Sequence, residues 1–246
     1  MPEIQVEIPT PDGTSDGILL TAEDARPLPG VIFLTDIGGI RPSQRQMAGR
    51  LAGEGYTVLV PNIFYRTGKP PVWAFKSNFG DERTTKRMAE LRGPLTPGAV
   101  ERDGAAYVDF LAGQQSVGNG PMGVVGYCLS GPFAMRTAAA RPDRIAAAAS
   151  FHGGGLYTDA PTSPHLVLPR IKARLYFGHA VQDKSMPQEA IDKLDQALKD
   201  WGGRYESEVY EGAYHSWTVP DSPLYNQPQA ERAFEKLRTL FAETLK

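Results

Sequence analysis

The residue best placed to do chemistry is Cys128, the single cysteine of this 246-residue chain. It lies in the segment GYCLSG at positions 126–131, between a predicted strand and a predicted helix. The small residues Gly126 and Ser130 leave room for a sharp strand-to-helix turn, which raises the side chain at its apex above the sheet. The start of the following helix carries partial positive charge that favours a thiolate. The pattern predicts a nucleophilic cysteine. The alternative is an ordinary buried cysteine that packs as a small hydrophobe.

Two further residues follow later strands in the order that a nucleophile–acid–histidine triad requires. Asp183 comes after the predicted strand Ala173–Phe177, and His215 comes after the predicted strand Tyr205–Tyr210. Because the carboxyl ends of parallel strands share one sheet edge, both side chains are expected near Cys128. His215 would accept and return a proton, and Asp183 would orient the imidazole ring and stabilise its charged form.

These assignments have competitors. Asp183 could instead cap the helix that begins near Pro187. Asp159 and Asp192 are rival acids, although neither directly follows a strand. The rival histidines are His152, His165 and His179. No histidine pair has HxxxH or HExxH spacing, and one cysteine excludes a cluster of thiolates, so we expect neither a metal nor an organic cofactor.

Short apolar runs alternate with longer segments of helical spacing along the chain. The predicted strands lie near Gln5–Ile8, Ile18–Ala22, Val31–Thr35, Thr57–Val60, Gly123–Tyr127, Ile145–Phe151, Ala173–Phe177 and Tyr205–Tyr210. The predicted helices are Ser43–Glu54, Ala99–Gln115, Gly131–Ala140, Gln188–Trp201 and Gln229–Leu245. The alternation predicts an α/β fold with a mainly parallel sheet of about eight strands and helices on both faces. The first two strands have no helix between them and are expected to form an antiparallel hairpin.

No change in composition divides the chain, so residues 1–246 are interpreted as a single domain. The least regular segment, Arg66–Pro97, mixes prolines and aromatic residues with charged side chains. It is either a surface excursion or part of a substrate-binding rim, since long connections often carry binding residues.

The composition limits the classes of partner. Lysine plus arginine number 26 and aspartate plus glutamate 28, for a net charge of −2. Because the sequence carries no basic stripe, we expect binding to neither nucleic acid nor a membrane surface, and the apolar runs are too short to span a bilayer. One cysteine without an export signal predicts a cytoplasmic protein. We expect a monomer or small homo-oligomer.

Several separate pieces of the sequence resemble the dienelactone hydrolase (carboxymethylenebutenolidase) family of the α/β-hydrolase fold. The segment around Cys128 is similar to that family's cysteine elbow and departs from it at Ser130, where glycine is usual. Residues 178–183 and 212–215 are similar to its acid and histidine loops, and residues 55–62 to an early strand. The resemblance covers most of the chain. It implies an α/β-hydrolase fold and hydrolysis of a lactone or activated ester through a cysteine thioester.

The resemblance also implies roles for the loop after the third strand. Asp36 occupies a position where the family places a carboxylate beside the thiol, glutamate in dienelactone hydrolase itself. Asp36 would therefore help to set the protonation state of Cys128. Taken alone, Asp36 could equally be a turn residue before two glycines. The backbone amides of Ile37 and Leu129 would form the oxyanion hole.

The substrate contacts follow the family less closely. Dienelactone hydrolase holds a substrate carboxylate with arginines, one of them four residues after the catalytic histidine, where this chain has Val219. Trp217 and Val219 would make that wall apolar, while Arg41, Arg83 or Arg87 could still hold a carboxylate. The expected substrate contacts are Arg41, Tyr127, His152 and Trp217. The expected substrate is a small ester or lactone.

A second function is compatible with the same fold. Cys128 could be the reactive thiol of a non-hydrolytic ligand-binding or redox-sensing protein. The presence of both Asp183 and His215 argues against this alternative, because a sensor does not need a complete triad.

Overall fold

A computed structural model describes residues 2–21, 26–78 and 80–246. Ala22, at the end of the second predicted strand, lies outside the described residues. The strands are β1 (Glu3–Thr10), β2 (Gly13–Leu20), β3 (Gly30–Leu34), β4 (Thr57–Pro61), β5 (Met122–Tyr127), β6 (Ile145–Phe151), β7 (Arg174–Ala180) and β8 (Tyr205–Tyr210). The helices are α1 (Pro42–Gly53), α2 (Glu82–Arg92), α3 (Pro97–Ala112), α4 (Gly131–Ala140), α5 (Gln188–Trp201) and α6 (Gln227–Leu245).

Within the described chain, eight strands form one sheet in the order β1-β2-β4-β3-β5-β6-β7-β8. β1 and β2 form an antiparallel hairpin in which Glu3 lies opposite Leu20, and β2 runs antiparallel to β4. The remaining neighbours are parallel. The predicted entry hairpin and mainly parallel sheet are confirmed. The carboxyl ends of β3, β5, β6, β7 and β8 lie along one edge, and the loops that follow them carry the candidate site.

Helices cover both faces of this sheet. One cluster of buried apolar side chains lies under α3, α4 and α5 and includes Val124. The other lies under α1 and α6 and includes Val125. These adjacent residues of β5 point to opposite faces, and β5 is buried along its whole length, which is typical of a strand covered on both sides. Among the described residues, no helix combines the length and the apolar character needed to cross a membrane.

The segment of residues 66–97, hereafter the 66–97 segment, contains a helix that the sequence did not predict. Asp81 caps α2, since its carboxylate accepts a hydrogen bond from the Thr84 amide at 2.6 Å. Thr84 and Leu91 are the buried residues of α2, so the helix has no apolar stripe that would reveal its spacing. α3 and α6 each begin two residues earlier than predicted, because a proline stands in their first turn.

Candidate active site

The turn between β5 and α4 places Cys128 at its apex. Cys128 has a φ of +56°, in the left-handed region that residues with a Cβ rarely adopt. The turn is tight enough that a Cβ at Gly126 would clash with the carbonyl of Ser130, and one at Gly131 would clash with the hydroxyl of Ser150. Small residues therefore allow the strained turn, which leaves the cysteine half-buried at the carboxyl edge of the sheet.

Ser130 does more than provide a small side chain. It is fully buried, and its hydroxyl donates a hydrogen bond to the carbonyl of Leu34 at 2.8 Å. The same hydroxyl accepts a hydrogen bond from the Tyr127 amide at 2.9 Å. The serine thus ties the cysteine turn to the end of β3, which a glycine at this position could not do.

Cys128, His215 and Asp183 form one hydrogen-bonded chain. His215 Nε2 lies 3.0 Å from Cys128 Sγ, and His215 Nδ1 lies 2.6 Å from Asp183 Oδ2. The three residues come from the loops after β5, β8 and β7, so the structure brings together the residues that strand order placed at one edge. An imidazole held between a carboxylate and a sulfur can move a proton to or from a group bound at the sulfur.

The charges of Asp183 and His215 stabilise each other. Burial by itself lowers the pKa of His215, but hydrogen bonds to Asp183 and Cys128 outweigh burial and raise the pKa to about 10. Burial by itself raises the pKa of Asp183, but hydrogen bonds from His215 and Ser185 hold that pKa below its usual value. The imidazole is therefore protonated at neutral pH. A positive charge beside the sulfur favours the thiolate form of a cysteine.

Ser185 also belongs to this site, although its position in the sequence did not predict it. Its hydroxyl and its amide donate to Asp183 Oδ1 at 2.7 and 2.8 Å. Because the other carboxylate oxygen accepts from His215, both oxygens are held and the carboxylate cannot rotate freely. An aspartate that receives a hydrogen bond from the amide two residues later forms an Asx turn, a pattern readable from the loop sequence.

The loop after β3 lies beside the 66–97 segment and presents the Ile37 amide. Among the described residues, no acceptor takes a hydrogen bond from this amide, so it is available to a ligand. The Ile37 carbonyl accepts a hydrogen bond from the Trp73 indole at 2.9 Å. Trp73 belongs to the 66–97 segment, so this contact favours the substrate-rim interpretation of that segment. Leu129 lies in the first turn after Cys128, where helical amides lack intrahelical acceptors.

Asp36 makes contacts other than those the resemblance implies. Its carboxylate accepts hydrogen bonds from Arg41 at 2.5 and 2.8 Å, from the Gln44 side chain at 3.1 Å and from the Gly38 amide at 2.8 Å. Within the described chain it forms no hydrogen bond to Cys128. The oxygens of Asp36 thus fix the turn that carries Ile37, and its role in setting the protonation state of the thiol stays a prediction.

Arg41, an expected substrate contact, is held by two carboxylates. Its guanidinium binds Asp36 on one side and Asp221 on the other, with an N–O distance of 2.8 Å to Asp221. Two carboxylates thus surround one cation, and the guanidinium is not available to a substrate carboxylate.

Tyr127 and Trp217 lie away from the sulfur-bearing surface. Trp217 is fully buried and stacks on Tyr210, with 4.9 Å between ring centroids. Tyr127 is 5% exposed and packs between Phe33 and Phe151, in the cluster under α1 and α6. Because successive strand residues point to opposite faces, Tyr127 at the end of β5 points away from the face on which the Cys128 side chain lies. Their contact with a substrate bound at Cys128 stays a prediction.

His152 is buried behind His215. Its ring centroid lies 5.3 Å from that of His215, and its Nε2 is 2.8 Å from the Thr218 hydroxyl. Burial lowers the pKa of His152 well below its usual value, and the charge of His215 lowers it further. His152 is therefore a neutral ring packed against His215, and its contact with a substrate stays a prediction.

The rival acids and histidines have other partners. These pairs are His165 with Ser163, His179 with Ser207, Asp192 with Gln188, and Asp159 with Lys193. In residues 2–21, 26–78 and 80–246, no three histidine, cysteine, aspartate or glutamate side chains are grouped so that they could hold a metal ion.

Known proteins resemble both the sequence and the fold. Residues 15–245 match the sequence profile of the Dienelactone hydrolase family. A carboxymethylenebutenolidase of Rhodococcus opacus is 32% identical over 198 residues, which cover 78% of this chain and 73% of that protein.

Two solved structures share the fold. A dienelactone hydrolase-like promiscuous phosphotriesterase from metagenomic libraries has a TM-score of 0.81 at 19% identity, covering 100% of this chain and 99% of that one. A dienelactone hydrolase from Anabaena variabilis has a TM-score of 0.69 at 19% identity, with the same coverage of both chains.

Proposed function

Because the chain belongs to the dienelactone hydrolase family and is a hydrolase, we propose that it cleaves carboxylic esters or lactones through a thioester on Cys128. The observation that carries the proposal is the unbroken chain from Asp183 through His215 to the sulfur, with links of 2.6 and 3.0 Å. A protonated imidazole in this place stabilises a thiolate nucleophile and also holds the proton that the leaving group needs.

In the first half of the reaction, the Cys128 thiolate attacks the carbonyl carbon of the substrate. The new C–S bond moves an electron pair to the carbonyl oxygen, which accepts hydrogen bonds from the amides of Ile37 and Leu129. One such donor typically contributes about 3–4 kcal/mol of transition-state stabilisation. The C–O bond then breaks, and the leaving oxygen takes the proton of His215.

In the second half, neutral His215 accepts a proton from water while the water oxygen attacks the thioester. Collapse of this intermediate breaks the C–S bond, releases the carboxylic acid and restores the ion pair of thiolate and imidazolium. Asp183 stabilises the imidazolium at both stages. Since a thiolate departs more easily than a simple alkoxide, lactones or esters with enol-type or aryl leaving groups suit this site better than amides.

The surroundings of the site favour an uncharged substrate. Arg41 is paired with two carboxylates, Arg83 stacks on an aromatic ring, and Arg87 donates to a backbone carbonyl. Val219, four residues after His215, is apolar and buried. With these arginines engaged elsewhere, we propose a neutral lactone or ester in place of a carboxylated dienelactone.

The test is hydrolysis of a panel by the native protein and by Cys128→Ala. The panel contains uncharged aryl esters, an uncharged enol lactone and a carboxylated dienelactone. We expect the native protein to prefer the uncharged members and Cys128→Ala to lose about 10³-fold or more in kcat, because no nucleophile remains. Rapid quenching followed by mass spectrometry should find the acyl group on Cys128.

Two results would contradict the proposal. Full turnover of every activated ester by a folded Cys128→Ala protein would exclude thiol catalysis. A preference for the carboxylated dienelactone would exclude the neutral substrate class while leaving thiol catalysis in place.

A further inference from the structure

A cavity of about 330 Å³ lies between α1 and α6, on the sheet face away from α4. Tyr127 and Phe151, at the ends of β5 and β6, form its floor. Ala230, Ala233 and other side chains of α6 form one wall. Small-molecule sites typically occupy about 300–1,000 Å³, so the volume suits a compact ligand.

The cavity has a mixed lining, and water would leave its apolar part without polar partners. At roughly 30 Å³ per molecule, about ten waters would be needed, and each requires two to four polar partners. Much of the lining is apolar, with Phe151, Ala233 and Leu237 among the buried side chains. An organic molecule would cover these surfaces and release the poorly bonded water.

Two hydroxyl groups line the cavity. The Tyr127 hydroxyl has no hydrogen-bond partner among the described residues, although the residue is only 5% exposed. The Thr218 hydroxyl is bonded to His152 Nε2 at 2.8 Å. The hydroxyl atom itself is accessible from the cavity, so a ligand that bonds to it takes the place of water there.

The charge at the cavity mouth is already balanced. The Arg50 guanidinium pairs with Glu231 at 2.6 Å and lies 4.0 Å above the ring of Phe234. This pairing leaves the mouth without a cation to attract an anionic ligand and without a carboxylate to attract a cationic one.

We propose that this cavity binds an uncharged aromatic alcohol, with its ring against Phe151 and α6 and its hydroxyl bonded to Tyr127. The site is separate from the sulfur of Cys128. It does not depend on the proposed hydrolysis, because binding is measured without a reaction.

The probe is 4-bromophenol at neutral pH, where it is uncharged, with the full native chain. Anomalous scattering from bromine in a soaked crystal locates the probe, and calorimetry measures its Kd in solution. We expect bromine between α1 and α6 and a measurable Kd in solution. Bromine only beside Cys128 or on the surface, or binding at crystal concentration only, would overturn the proposal.

A matched pair of variants on α6 tests the position. Ala233→Leu fills the cavity and should weaken the solution affinity at least about tenfold, because the added carbons occupy the ligand's space. Ala242→Leu places the same change at an exposed position of the same helix and should leave Kd unchanged. If Ala233→Leu does not fold, Ala230→Val provides a smaller filling change. Unchanged affinity in the folded cavity variant would overturn the proposal.

The hydroxyl is tested with Tyr127→Phe and two probes. The affinity for 4-bromophenol should fall about fivefold to tenfold, whereas that for bromobenzene should stay the same, because only the phenol makes the hydrogen bond. An equal change for both probes would overturn the assignment of Tyr127 as the hydrogen-bonding group.

Discussion

Two aspartates follow strands at the same edge of the sheet, and each holds a cation, but the two arrangements differ in what they can do. Asp36 follows β3 and binds Arg41 at 2.8 Å, and Asp183 follows β7 and binds His215 at 2.6 Å. Both aspartates are buried, at 5% and 7% exposure. The imidazole offers its second nitrogen to Cys128, whereas the guanidinium gives its remaining donors to a second carboxylate.

The cation therefore decides the chemistry. An imidazole can exchange a proton near neutral pH, but a guanidinium stays charged throughout the range in which proteins are folded. Burial opposes the charge on Arg41, yet its two carboxylate partners raise its pKa above the usual value. In the proposed reaction, one arrangement moves protons at the sulfur and the other only fixes the loop that carries the Ile37 amide.

The largest expected effect comes from Asp183→Asn. A neutral amide cannot stabilise the imidazolium of His215 and can hold the wrong tautomer, so kcat for an uncharged aryl ester should fall about 10³–10⁴-fold. Steady-state kinetics measures the loss. Asp159→Asn is the matched control, because the Asp159 side chain is 90% exposed, and its kcat should stay within about twofold of native. A loss below about tenfold in folded Asp183→Asn would remove the distinction between the two aspartates.

The next effect concerns pH and uses alkylation of Cys128 by iodoacetamide. Because the pKa of His215 is raised to about 10, the imidazole keeps its positive charge beside the sulfur from about pH 6 to about pH 8. The native rate should change by less than about threefold between roughly pH 8 and pH 6, where a free thiol loses about tenfold per unit.

The same measurement on Asp183→Asn tests whether Asp183 controls the charge of His215. Without the carboxylate, the pKa of His215 should fall towards its ordinary value, so the imidazole becomes neutral near pH 7 and no longer favours the thiolate. The alkylation rate of the variant should then fall about tenfold for each unit by which the pH is lowered. Parallel profiles for the native protein and the variant would show that Asp183 does not control the charge at the sulfur.

The arrangement around Cys128 could be predicted because chain order and strand ends determine it. Cys128, Asp183 and His215 each follow a strand of a parallel sheet, so their meeting at one edge depends only on the alternation of strands and helices. The contact of Ser185 with Asp183 could also have been predicted, since an Asx turn is a local sequence pattern. The orientation of Tyr127 follows from strand alternation as well, because it directly precedes the residue that faces the site.

The contacts of Arg41 could not be predicted in this way. Its partner Asp221 lies 180 positions away in sequence, and a single sequence contains no signal for that pairing. The burial of Trp217 likewise depends on packing against distant strands. The helix α2 could not be predicted from apolar spacing, because its cap and charged surface stabilise it without an apolar stripe.

The smallest expected effect comes from Asp36→Asn. The change removes the negative charge that pairs with Arg41. The Arg41 side chain is 24% exposed and keeps Asp221 as a partner. We expect a loss of about 1–2 kcal/mol in the free energy of unfolding, below the 3–5 kcal/mol typical of breaking a fully buried pair. We also expect a fall of about threefold to tenfold in kcat, because the loop that carries Ile37 loosens. Urea denaturation and steady-state kinetics provide the two measurements.

Asp221→Asn is the control for this change. The Asp221 side chain is 48% exposed, so its loss should cost less than about 1 kcal/mol. The pH profile of Cys128 alkylation separates the two roles of Asp36: a loop-fixing carboxylate leaves the profile unchanged in Asp36→Asn, whereas a carboxylate acting on the thiol alters it. An altered profile with unchanged stability would place Asp36 beside Asp183 as a second group that controls the sulfur.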